Sequence, residues 1–229
     1  MYNWDDIVII GDSWCAERTG DNHWPKIFTN KITEKHELEP RGKGFPGASW
    51  WSVRKRLLEE LSYKPIKLLI LCHTEANRIP SDYDYGYNYW SVLENQHRGE
   101  RFDAAVKYFE HLHSLDYYRW CQLRWFDEVD SIIKENNIEK VIHLHCFPDM
   151  FWKNSKDSIA TYKFKTGITI QDALYNYRDK TLNPKKFPNH LTDEQNYKLA
   201  KILTKLIDNY LEYGQIYTER LNLGDCYDI

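Results

Sequence analysis

Two side chains near opposite ends of the chain have the chemistry for acyl transfer. Ser13 closes the triplet Gly11-Asp12-Ser13, and His190 stands in Phe187-Pro188-Asn189-His190-Leu191-Thr192. A serine hydroxyl is a weak nucleophile until a base within hydrogen-bond reach takes its proton, and histidine is the usual base. The tetrahedral oxyanion that follows needs fixed donors. Gly47 can offer a backbone N–H, Asn77 a side-chain amide, and Ser13 its own N–H. Taken singly, each residue is ordinary: glycine, asparagine and Gly-Asp-Ser are common in turns, and a histidine ahead of a helix is often a surface residue. Their weight depends on whether the intervening elements bring them to one place.

The elements are arranged to do so. Ile7-Val8-Ile9-Ile10 is a run of β-branched residues without polar alternation, the pattern of a strand buried on both faces in a parallel sheet. Ser13 then lies just past its carboxyl end, where open α/β sheets collect ligands. A helix is expected from Trp24-Pro25 to about Thr33, with proline in its first turn. The stretch Pro40-Arg41-Gly42-Lys43-Gly44-Phe45-Pro46-Gly47 reads as a loop that turns sharply or approaches another backbone closely. Ser49 caps a second helix carrying Trp50, Val53, Leu57 and Leu61, which Pro65 stops, and Ile66 to Cys72 is a second buried strand. A strand, helix, strand order of this kind means a right-handed crossover and a parallel sheet.

From about 78 to 137 the pattern changes to a tyrosine-rich loop followed by helices near 101–115 and 119–135, read as an insertion bordering a pocket. Val141 to Phe147 forms a third strand. The stretch 152–188 is polar and irregular, with a short helix at 171–177. Thr192 and Gln195 form a capping box for a last helix with the stripe Tyr197, Ala200, Leu203, Ile207 and Tyr210, ending at Gly214. The whole reads as a single α/β domain over 1–229.

Composition excludes several classes. With 31 Lys plus Arg against 34 Asp plus Glu, the net charge of −3 provides no basic surface for nucleic acid. Cys15, Cys72, Cys121, Cys146 and Cys226 are odd in number and never in C-x-x-C spacing, which points to reduced thiols rather than disulfides or a thiolate zinc site. No signal peptide and no membrane span is expected, so a cytoplasmic location is. His143 and His145 share a strand face and, with His73, invite a metal site. They lack the expected carboxylate partners and are read as core or pocket-edge residues. No cofactor is called for.

In kind and in order these blocks resemble the SGNH hydrolases, also called the GDSL esterase/lipase superfamily. Ile7 to Ser13 is similar to its first block, and Gly44-Phe45-Pro46-Gly47-Ala48-Ser49 to its second, with Gly47 at the oxyanion position. Leu68 to Asn77 is similar to its third block and Phe187 to Thr192 to its last, so the resemblance spans the chain. It implies a flavodoxin-like three-layer α/β/α sandwich with a central parallel sheet, and a metal-independent serine esterase using Ser13, Gly47, Asn77 and His190. Small acyl groups on carbohydrate are the expected substrates, since aromatic rings of the insertion can stack on sugars. Two departures stand out. The family's Gly-x-Asn-Asp is here Cys72-His73-Thr74-Glu75-Ala76-Asn77-Arg78, which leaves Asn77 or Glu75 to face the site. Phe187 occupies the position of the family's acid, so His190 leans on a backbone carbonyl, on Asp193 or Asp149, or works in a Ser–His dyad. The alternative is a catalytically impaired protein of this fold that binds a ligand or serves in an assembly, as in phage-encoded relatives.

Overall fold

The computed structural model describes residues 7–16, 22–80, 86–88, 92, 99–147, 162, 164–170 and 191–214. Four parallel strands, β1 (Ile7–Ala16), β2 (Leu68–His73), β3 (Lys140–His145) and β4 (Ile168–Ile170), lie in the order β1-β2-β3-β4. The described residues form five helices: α1 (Trp24–His36), α2 (Trp50–Tyr63), α3 (Glu100–His111), α4 (Leu115–Glu135) and α5 (Asp193–Tyr213). None is long and apolar enough to cross a membrane.

Side chains on a strand alternate between faces, and here both faces are apolar. Ile7, Ile9, Leu68, Ile70, Ile142 and Leu144 pack under α1 and α5, meeting Trp24, Phe28, Leu203 and Ile207. Val8, Ile10, Leu69, Leu71 and Val141 pack under α2 and α4, meeting Leu57, Phe126 and Val129. The result is the three-layer α/β/α architecture. The second helix of the tyrosine-rich region, α4, is thus a wall of the core between β2 and β3, with Phe126 and Val129 fully buried.

The outer edge of β1 is occupied as well. Ile9 N–H donates to Arg41 O and Arg41 N–H to Ile7 O, both at 2.9 Å, and Gly11 and Ala16 bridge to Gly44. Counting that segment, the order across the sheet is 41–44, β1, β2, β3, β4. The chain leaves β1 toward one edge and returns to the other side of it. This is the 2-1-3-4-5 order of flavodoxin-like sheets, whose switch point opens a crevice beside the end of the first strand.

The helices start and stop as their sequences dictate. Ser49 Oγ accepts the Ser52 N–H, and the Thr192–Gln195 capping box is complete. The stripe on α5 is offset from the expected one. Leu199, Ala200, Leu203, Leu206, Ile207 and Tyr210 are buried, whereas Tyr197 is exposed, with Lys31 Nζ 5.2 Å from its ring centre.

Asp130 on α4 locks the segment leading into β4. Its carboxylate accepts the N–H groups of Lys165 and Thr166 at 3.1 and 3.0 Å and the hydroxyl of Thr166 at 2.5 Å. Asp130→Ala strands two backbone donors and is expected to cost about 3 kcal/mol, the scale for hydrogen bonds to a charged acceptor, read as a lower urea midpoint at unchanged slope.

Candidate active site

The far end of β1 and two loops are drawn together by one hydroxyl. Thr74, the residue after β2, has its Oγ1 2.7 Å from Ala48 O and 3.2 Å from Asp12 Oδ2. The residues beside Ser13 and Gly47, and one three positions before Asn77, therefore share one knot.

On β1, Ser13 is the sole position not buried; Asp12 and Trp14 on either side are enclosed. The strand does not end at Gly11, as its apolar run suggests, but continues through Ser13 to Ala16, because Gly44 comes against it backbone to backbone. A Cβ on Gly44 would fall on Asp12 O and stand 2.6 Å from Cys15 Sγ and 2.7 Å from Ala16 N, so glycine is required there. Gly47 has φ 73°, a second need for glycine. Its carbonyl accepts the Gly86 N–H at 2.8 Å, while its own N–H has no partner among the described residues.

Glu75 and Asn77 differ in what their side chains touch. Glu75 is buried, accepts from Asn88 Nδ2 and lies 3.6 Å from Arg78 Nη2. Burial pushes its carboxyl up, and Arg78 and Asn88 pull it back. Asn77 is 1% exposed, and neither Oδ1 nor Nδ2 has a hydrogen-bond partner among the described residues. A buried amide with neither group paired is costly in a resting protein and common where a ligand completes it.

His190 lies outside the described residues, as do Phe187, Asp149, Cys226 and the expected short helix at 171–177. The next residue in the chain is described. Leu191 O accepts from Asn196 Nδ2 at 3.2 Å, Asn196 Oδ1 accepts the Trp24 N–H at 2.9 Å, and the Trp24 indole N–H donates to Trp14 O at 2.7 Å. The neighbour of His190 is thereby tied, through α1, to the neighbour of Ser13. Asp193 accepts from Asn22 Nδ2 at 3.1 Å.

The three histidines near the same sheet end are packed as rings. His73, His143 and His145 are buried, and His143 stacks on Phe164 with centroids 3.6 Å apart. His143 Nε2 donates to Thr166 O at 3.1 Å, so its Nδ1 accepts from His73 Nε2, also at 3.1 Å. No group of three or more His, Cys, Asp or Glu among the described residues is disposed to hold a metal ion. Burial lowers His143 to about 3 and His145 to about 4 from an ordinary value of 6.5. The unfolded chain takes up these protons first as pH falls, so stability is lost from about 6.5 downward. Urea midpoints across a pH series should drop in that window, and His145→Gln should flatten the drop between about 6.5 and about 4.

Sequence reasoning passed over Asp12, Thr74, Arg78 and Asn88. Asp12 carried a signal, a carboxylate set directly after a fully apolar strand; the other three carried none.

No protein-family model matches the sequence, and no curated protein does. Several solved structures are similar in fold. The acetyl xylan esterase AlAXEase is 15% identical, with 85% of this chain and 96% of that one covered at a TM-score of 0.50. The acetylxylan esterase Axe2 from Geobacillus stearothermophilus is 14% identical, with 93% and 96% covered at 0.46. A GDSL-like lipase from Parabacteroides merdae is 13% identical, with 86% and 94% covered at 0.48. At these identities the likeness is one of fold.

Proposed function

We propose that this chain, which has the fold of the SGNH hydrolases, is a serine esterase acting on small acyl esters. The observation that carries the reading is Asn77, whose buried amide has no hydrogen-bond partner among the described residues and whose loop is tied through Thr74 to the residues next to Ser13 and Gly47. His190 removes the Ser13 proton, and Ser13 Oγ attacks the ester carbonyl carbon. The Ser13 N–H, the Gly47 N–H and the Asn77 amide receive the negative charge that develops on the carbonyl oxygen. His190 returns the proton to the departing alcohol, leaving an acyl-serine. Water, deprotonated by His190, then attacks that ester and frees the carboxylic acid and Ser13.

An acetyl group on a carbohydrate is the substrate class this reading favours. Trp51, partly exposed, opens α2 within a few residues of Gly47, and an indole face of this kind suits a sugar ring. Phe187, standing where an orienting acid is expected, favours a second reading, a binding module that keeps the pocket without turnover.

A fluorophosphonate probe separates the two. The esterase reading expects covalent labelling that maps to Ser13 and is lost in His190→Ala. Wild type that stays unlabelled, with no hydrolysis of acetylated xylo-oligosaccharide or p-nitrophenyl acetate, leaves the binding module.

A further inference from the structure

The two oxygens of the Asp12 carboxyl have different neighbours. Oδ1 accepts the Trp14 N–H at 3.0 Å, and Oδ2 lies 3.2 Å from Thr74 Oγ1, which is itself 2.7 Å from Ala48 O. A carbonyl oxygen only accepts, and a hydroxyl has one proton to give. The shorter contact takes it. Thr74 therefore donates chiefly to Ala48, which leaves its oxygen lone pairs facing Asp12 Oδ2 and able to accept a proton from it.

Charge balance among the described residues points the same way. Arg78 is buried with Glu75 at 3.6 Å, and Asp12 is fully buried beside them. Two carboxylates and one guanidinium leave one buried anion in excess among the described residues, which a bound proton neutralises. The thiols of Cys15, Cys72 and Cys146 also face Asp12. Burial raises all three, so they stay protonated and supply no positive charge.

We infer that Asp12 keeps its proton into mildly acidic solution, far beyond an ordinary carboxyl, and, with Thr74, is a positioning residue. The relay from Asp12 Oδ2–H to Thr74 Oγ1–H to Ala48 O fixes the Gly47–Ala48 turn against β1. The positioning role rests on the esterase reading; the proton on Asp12 does not. Burial, opposed by Arg78, pushes the Asp12 carboxyl up to about 6 from 3.8. Since the folded value lies above the unfolded one, the stability this proton confers is present at low pH and lost as pH rises through about 6.

The test uses full-length protein and two substitutions. The infrared difference between wild type and Asp12→Asn should show the C=O band of an undissociated acid in mildly acidic solution, fading with a midpoint of about 6. Asp12→Asn, whose amide can accept from Trp14 and donate to Thr74, should melt above wild type on the alkaline side of that midpoint and lose the margin on the acid side. Thr74→Val should lower kcat at least about tenfold with KM little changed, and Thr74→Ser should restore it. Absence of the band at every pH where the protein is folded overturns the proton, as does an Asp12→Asn protein that cannot fold. The band together with wild-type kcat in Thr74→Val overturns the positioning role. Absence of any hydrolysis by wild type removes the esterase reading and the positioning role built on it, and leaves the infrared result standing.

Discussion

Ser13→Ala is expected to lower kcat for acetyl ester hydrolysis by roughly 10⁴- to 10⁶-fold, the scale seen when an activated nucleophile is deleted. The fold should not register the change. Ser13 is the position of β1 that is not enclosed, so losing its hydroxyl opens no cavity, and the unfolding free energy should move by no more than about 0.5 kcal/mol. Steady-state kinetics and a urea titration on the same preparation check both halves. Retention of more than a tenth of the wild-type rate would remove Ser13 from the chemistry.

Asn77→Ala should show the converse of an ordinary core mutation. Most buried polar side chains hold a hydrogen bond whose loss is felt in stability, but the Asn77 amide has none to lose among the described residues. Deleting it relieves an unpaired donor and acceptor, which offsets the small void left behind, so stability should stay within about 1 kcal/mol. Activity should fall about 10²- to 10³-fold in kcat, the effect of removing one oxyanion donor, with KM nearly constant because the ground-state carbonyl asks less of it. Should kcat survive while stability falls, Asn77 is a packing residue and the oxyanion assignment is wrong. Glu75→Gln offers a contrast. Its carboxylate is engaged with Asn88 and Arg78, so the cost should appear in the melting transition.

The parts of this molecule that announce themselves in sequence are those made by continuous local pattern. Ile7 to Ile10 and the run into Cys72 read as buried strands because both faces are covered, and alternation between polar and apolar has no place in them. The Ser49 and Thr192 caps read as caps because side chain and first turn are adjacent in the chain. What escaped is made by backbone meeting backbone. β4 is three residues long, Ile168–Ile170, too short for a periodic signal. The edge pairing of Arg41 to Ile7 and Ile9 lies in a glycine- and proline-rich stretch whose side chains say nothing of ladder partners. β1 runs on through Ser13 to Ala16 for the same reason.

The candidate site divides along that line. Ser13 and Gly47 are candidates read from their blocks, and the preference for Asn77 over Glu75 is read from charge alone. The physical reason for it, a guanidinium and an amide that absorb Glu75, depends on how the loop after β2 folds back. No spacing rule encodes that path. Tyr197 taught a smaller lesson. Its place near the α5 stripe is real, yet α5 rolls toward Leu199 and Leu206, and the ring is left outside with Lys31.

The contact of Gly44 on β1 has a practical meaning for anyone wishing to reshape this molecule. Main chain abuts main chain there, with the Cys15 thiol as the one side chain close by, so the stretch of β1 that carries Ser13 offers little to adjust from this side. Trp50 and Trp51, which open α2 just after Gly47 and are not enclosed, are where side-chain atoms can be exchanged without disturbing that contact.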